Sequence, residues 1–290
     1  MLTTSQEIIQ YCRENKISFP EIILQEEVEK FEVSPESVLE KLNAMIDVME
    51  ASSKAYLDQP SKLGLGMING FAHKMMVYKK EDSLVGEDLL EAMAMAFSTF
   101  ECNSSMGRIV ASPTAGSSGI LPAALMFLKK KENLSREDLL DGLLVSVGIG
   151  QMIGQYATFA GAEGGCQAEC GAAASMAAGA LVYLKGRPLE EVFEAASIAL
   201  INVLGLVCDP IAGLVEYPCT FRNASGVMNA IISADMAMAG TTSIVPFEEV
   251  AQAMKEVGDA MVESLRETGT GGLAGTKTGA KLRKEFFKED

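Results

Sequence analysis

The sequence predicts an all-α fold, and three observations lead there. Helix-start signals recur along the chain. The apolar residues that follow them repeat at helical spacing, and no run of alternating β-branched residues competes with them. Thr4 with Glu7 is a capping-box pattern ahead of Ile8 and Ile9, in which hydroxyl and carboxylate satisfy the first unpaired amides of a helix. Ser34-Pro35-Glu36 is an N-cap followed by an N1 proline, and Val38, Leu42, Met45 and Met49 then recur on one face. Ser135 with Asp138 caps the run Leu139, Leu140, Leu143 and Leu144. Pro246 opens a helix carrying Val250, Met254, Val257, Met261 and Leu265, which Gly269 is expected to stop.

The chain changes character near residue 100. Residues 1–60 read as amphipathic, well-charged helices, whereas 106–240 are small, apolar and glycine-rich. With no low-complexity linker and no internal repeat, residues 1–290 read as one domain, with 61–290 as its functional region and a buried core of small residues at its centre. Two uncharged stretches, 109–128 and 142–162, approach the length of a membrane span. The first holds Ser112, Pro113, Thr114, Gly116, Ser117, Ser118, Gly119 and Pro122, and the second Gln151 and Gln155, so buried helices interrupted by turns are the expectation.

Composition excludes other classes. Of 290 residues, 48% are apolar and 22% charged, which suits a folded domain rather than a disordered chain. The formal net charge of −15 repels phosphate backbones and anionic lipid, so neither nucleic acid nor a membrane surface is an expected partner. The N-terminus lacks a basic and apolar leader, so a cytoplasmic chain with reduced thiols is expected.

The polar turns within the apolar centre are costly to bury unless they perform chemistry. They are 112–119, 161–170, 208–210 and 216–223, and they hold four of the six cysteines. Cys166 follows Gly164-Gly165, Cys208 precedes Asp209-Pro210, where a helix is expected to end, and Cys219 follows Pro218. Thiolates on a backbone constrained by glycine and proline suit an iron-sulfur cluster, while inert buried thiols have the same appearance. Zinc is disfavoured, since there is no CxxC pair and His73 is the only histidine.

Four long segments carry a resemblance: MGRIVASPTAGSSGILPAAL (106–125), AEGGCQAECGAAASMAAGA (162–180), LGLVCDPIAGLVEYPCTFRNASGVMNA (204–230) and RETGTGGLAGTKTG (266–279). Through them the chain resembles, over nearly its full length, the α chain of iron-sulfur-dependent L-serine dehydratase (L-serine ammonia-lyase). The resemblance implies a [4Fe–4S] cluster held by Cys166, Cys208 and Cys219, with Cys170 a bystander or redox neighbour. Three thiolates on four irons leave one iron open as a Lewis acid, on which water is eliminated from L-serine to give pyruvate and ammonia. It also implies oxygen sensitivity and a β chain as partner. A homo-oligomeric assembly is compatible with this reading.

For the substrate, the turn around Thr114, Ser117 and Ser118 is expected to offer hydroxyls and amides to a carboxylate. Arg222 and Asn223 are expected to make charge-assisted contacts to the carboxylate or the cluster. The family's TGGDA motif is replaced by Ile68-Asn69-Gly70-Phe71-Ala72, which leaves Asn69 and His73 as the nearby polar groups. A substrate other than L-serine (threonine, cysteine) and a non-catalytic cluster-binding subunit are therefore the alternatives.

Overall fold

The computed structural model describes residues 3–61, 66–79, 81 and 83–288. Local capping chemistry sets most helix starts. Thr4 and Glu7 form their capping box and begin α1 (Ser5–Asn15), and Ser18 with Glu21 does the same for α2 (Phe19–Phe31). Ser34 caps α3 (Pro35–Lys54) with proline in its first turn. Then follow α4 (Phe71–Tyr78), α5 (Glu87–Ser104) and α6 (Ile120–Glu132). The Ser135–Asp138 box starts α7 (Arg136–Tyr156), followed by the single turn α8 (Gly161–Gly164). A π-helical turn, Gln167–Gly171, runs into α9 (Ala172–Leu184). The remaining helices are α10 (Leu189–Ile201), α11 (Cys219–Met238), α12 (Phe247–Ala260) and α13 (Lys277–Phe287). No strand occurs among the described residues, so the chain is all-α as its sequence predicts.

The centre is α9, whose residues 172–182 are all buried against α6, α7, α10 and α11. Small side chains let these axes approach closely, and Gly179 shows the limit: a Cβ there would lie 2.1 Å from Cδ1 of Ile149. The N-terminal helices join the same core. Phe19 and Ile23 of α2 lie against Gly148 of α7, and Ile46 and Met49 of α3 belong to the same cluster.

Two expected features differ. The helix begun at Pro246 ends at Ala260, short of Leu265 and Gly269. There the chain is drawn away by tertiary contacts: Leu265 and Glu267 bond to Cys208, so Met261 and Leu265 continue the apolar period without continuing the helix. Likewise Asp209-Pro210 ends no helix. α10 stops at Ile201, and Cys208 lies in an extended bridge paired in parallel with Arg266. No helix among the described residues is long and apolar enough to cross a membrane. The stretch 109–128 is broken by a 3-10 turn at Ala115–Ser117, and 142–162 by the end of α7.

Candidate active site

Three cysteines reach one place from three segments, and each is held there by backbone bonding. Cys166 stands at the start of the π-helical turn, behind Gly165, whose φ of +73° favours glycine. The next side chain, Gln167, donates from Nε2 to the Met254 carbonyl (2.9 Å) and accepts at Oε1 from the Gly205 amide (2.8 Å). That fastens 166–167 to the approach of Cys208. The Cys208 amide donates to Leu265 (2.9 Å), and its carbonyl accepts from Glu267 (2.7 Å). Cys219 is the first residue of α11. Cys166, Cys208 and Cys219 are at most 2% exposed.

Asn223, one turn after Cys219, is spent on the scaffold. Its Oδ1 accepts from the Gly119 amide (2.8 Å), and its Nδ2 donates to the carbonyls of Gly116 (2.8 Å) and Cys219 (2.9 Å). It therefore joins the 112–119 turn to the Cys219 turn with every polar atom engaged. Arg222 pairs with Asp209 (2.5 Å), which also accepts from the Leu273 amide (2.7 Å). The other guanidinium nitrogen, Nη1, is buried without a partner.

The electrostatics follow from this crowding. Burial and the neighbouring Cys166 push the thiols of Cys208 and Cys219 up. The S–H of Cys170, whose sulfur is 3.4 Å away, and the Arg222 guanidinium bring Cys166 down. Burial opposes the charge of Arg222, but Cys166 and Asp209 hold it protonated. Glu169 is 8% exposed, its carboxyl pushed up by burial and, in smaller part, by Glu267. Oε1 of Glu169 accepts from the Thr114 hydroxyl (2.7 Å), which is 3.1 Å from that of Ser117. A Cβ on Gly161 would sit 2.8 Å from Glu169 Oε2 and 3.2 Å from Cys208 Sγ, so glycine leaves the space between carboxylate and thiol clear.

Among the described residues no three His, Cys, Asp or Glu side chains close around a single ion. The donor set is of another kind: three buried thiols, soft ligands, on separate segments, beside a guanidinium nitrogen that lacks a partner. A cubane presents a different iron to each thiolate and carries net negative charge, so these residues fit it better than they fit one ion.

Ser118 lies on the same turn as Thr114, its hydroxyl buried and unpartnered, as are Thr220 Oγ1 and Glu216 Oε2 on the Cys219 segment. Asn69 is exposed ahead of Gly70. Next to it the Phe71 amide donates to Glu101 Oε1 (2.5 Å), a fully buried carboxylate that caps α4 from α5. The Phe71 ring stacks on Phe221 (centroids 5.5 Å apart) and meets Phe97 edge-on, while Ile68 and Phe100 pack with Cys219. His73 faces away, its Nδ1 bonded to the Leu57 carbonyl (3.0 Å). Cys12 belongs to the N-terminal core and Cys102 to the end of α5. Sequence reasoning passed over Glu169 and Asp209. The available signal was a carboxylate in an otherwise uncharged, alanine- and glycine-rich run. A surface cleft of about 620 Å³ beside Phe127, Lys185 and Ile232 includes none of these residues.

An all-α domain that buries three thiols and a carboxylate beside an arginine near its small-residue centre has the reactive side chains of an enzyme rather than of a structural module. Residues 14–274 match the family model "Serine dehydratase alpha chain". The chain is 58% identical over 290 residues to the L-serine dehydratase alpha chain of Peptoniphilus asaccharolyticus, covering 100% of this chain and 99% of that one. It is 42% identical over 288 residues to the probable L-serine dehydratase alpha chain of Bacillus subtilis, covering 99% and 96%. L-serine dehydratase 2 of Escherichia coli matches at 33% over 281 residues, 94% of this chain but 61% of that one. The chain belongs to the serine dehydratase alpha chain family.

Proposed function

We propose that this chain is the catalytic α subunit of an L-serine dehydratase, converting L-serine to pyruvate and ammonia with a [4Fe–4S] cluster on Cys166, Cys208 and Cys219. The observation that carries the reading is that Cys166, Cys208 and Cys219, each buried, lie within electrostatic reach of one another, with the Arg222 guanidinium beside Cys166. When bound, such a cluster supplies an iron without a protein ligand, a Lewis acid toward the departing hydroxyl.

The chain's own residues do the rest. Arg222, fixed by Asp209, directs Nη1 to the substrate carboxylate, a charge-assisted contact in a site shielded from water. The Thr114, Ser117 and Ser118 hydroxyls hold the substrate's polar groups from the adjoining turn, which Asn223 keeps in register. Glu169 exchanges the Cα proton at Oε2, while Thr114 fixes Oε1, and its raised pKa suits a base that must later give the proton up. Phe71 packs against Phe97, Phe221 and the Ile68, Phe100 and Cys219 cluster, and L-serine is taken as the substrate because it is the one for which the relatives are named. The Escherichia coli relative is longer than the matched region, in keeping with a second, β chain that completes the enzyme in trans.

Anaerobic chain, alone and with its β partner, should be assayed for pyruvate from L-serine and L-cysteine and for 2-oxobutyrate from L-threonine, with iron and sulfide counted. We expect L-serine to be preferred and about four irons per chain. Cys166→Ser, Cys208→Ser and Cys219→Ser should abolish the iron, and Cys12→Ser and Cys102→Ser should not. Equal iron loss in all five variants, or turnover unaffected by iron removal, sinks the reading.

A further inference from the structure

We propose that Cys166 and Cys170 are the site of a reversible intramolecular disulfide, formed by peroxide when the chain is without its cluster, and that the bond preserves Cys166 for reloading. The preservation rests on the reading of Cys166 as a ligand, while the bond itself rests on geometry alone. The two sulfurs are 3.4 Å apart and both residues are buried. Closing the bond needs an S–S distance of about 2.05 Å, so the sulfurs must approach by about 1.4 Å. The backbone can supply that movement. Cys166 precedes the π-helical turn, behind Gly164-Gly165, and Gly171 ends the turn beyond Cys170. The proposed function leaves Cys170 without a task.

The chemistry balances with hydrogen peroxide as oxidant. The Cys166 sulfur attacks the O–O bond, which breaks to give a sulfenic acid and release one water. The Cys170 sulfur then attacks the sulfenic sulfur. The S–O bond breaks, the S–S bond forms, and the hydroxyl leaves with the Cys170 proton as a second water. Two thiols lose two electrons, and one peroxide is reduced to two waters. A dithiol reductant returns two electrons and two protons and restores both thiols. Without Cys170 in reach, the sulfenic acid is open to further oxidation to sulfinic acid, which thiols do not reverse.

The test uses the full chain, depleted of iron by a chelator, freed of the chelator and treated with one equivalent of hydrogen peroxide. Free thiols are then alkylated, and the protein is cut with trypsin without reductant. No Lys or Arg lies between Arg136 and Lys185, so residues 137–185 form one peptide whose only cysteines are these two. We expect that peptide two hydrogens lighter and unalkylated, with both thiols returned by dithiothreitol. In Cys170→Ser and Cys170→Ala, given a second equivalent of peroxide, Cys166 should instead gain two oxygens. After peroxide and then dithiothreitol, wild-type chain should rebuild its iron and sulfide content, and both variants severalfold less. A wild-type peptide with two free thiols, a sulfinic Cys166 in wild type, or a bond from Cys166 to Cys208 or Cys219 overturns the proposal. If the bond forms but Cys166→Ser keeps its iron, the ligand reading fails and the disulfide stands.

Discussion

At the scale of single residues, what is absent matters as much as what is present. Gly161 holds open the space between the Glu169 carboxylate and the Cys208 thiol, and both would be displaced by one methyl group. Gly161→Ala is expected to lower iron content severalfold while leaving the helical circular dichroism intact, and an iron assay beside the spectrum checks it. Asn223 has the complementary task of filling. Its loss leaves the Gly119 amide and two carbonyls unpaired in a buried place, at about 1–3 kcal/mol for each such group. Asn223→Ala should therefore lower Tm on the order of 10 °C by calorimetry. Asn223→Asp, which keeps the acceptor but loses both donors, should do most of the same damage. A small Tm change in Asn223→Ala would show that the joint between the two turns is not where stability is held.

At the scale of elements, the sequence is legible wherever the chemistry is local. Thr4, Ser34 and Ser135 announce the starts of α1, α3 and α7 because a cap needs only residues three positions apart. Removing the Ser135 cap by Ser135→Ala should cost about 1 kcal/mol. Denaturant unfolding would read that loss, and the iron content should be unchanged because α7 starts far along the chain from the thiols. Where the determinant is distant in sequence, legibility fails. The end of α12 at Ala260 and the extended setting of Cys208 determine one another through the Leu265 and Glu267 bonds, and neither segment alone predicts them. The π-helical turn is similar, since nothing in Gln167–Gly171 distinguishes it from an α-turn until Gln167 is seen bridging Met254 and Gly205. As candidates, the cysteines were legible because thiols beside glycine and proline are chemically conspicuous. Glu169 was not, because its significance depends on burial next to Thr114 and Gly161.

For the whole molecule, the acidic balance sets how stability varies with pH. Two carboxylates act as ties between helices. Glu50 of α3 accepts from Lys129 of α6 and from Lys54, which brings it down to about 2. Glu91 of α5, though burial opposes its charge, is held low by Lys130 of α6 and Lys79 after α4. A depressed folded pKa contributes stability above the ordinary carboxylate value, and that stability is lost as pH falls through the folded one. Glu101, Glu169 and Glu216 have the opposite sign. Burial raises all three, so their contribution is complete below the ordinary value and is lost as pH rises through the folded one. The net charge of −15 adds self-repulsion that protonation relieves. Cluster-free chain should therefore be most stable on the mildly acidic side of neutrality, with Tm falling on both flanks. Glu101→Gln, which leaves no charge to bury, should flatten the neutral flank. Glu50→Gln should remove about 1 kcal/mol at neutral pH. It should also shallow the decline between about pH 4.5 and about 2, the interval set by the ordinary and the depressed values. Glu91→Gln should cost more than Glu50→Gln, since its side chain is 14% exposed against 30%. A Tm that rises steadily from acid to alkaline pH, with Glu101→Gln and Glu50→Gln changing neither flank, would contradict this division of the carboxylates.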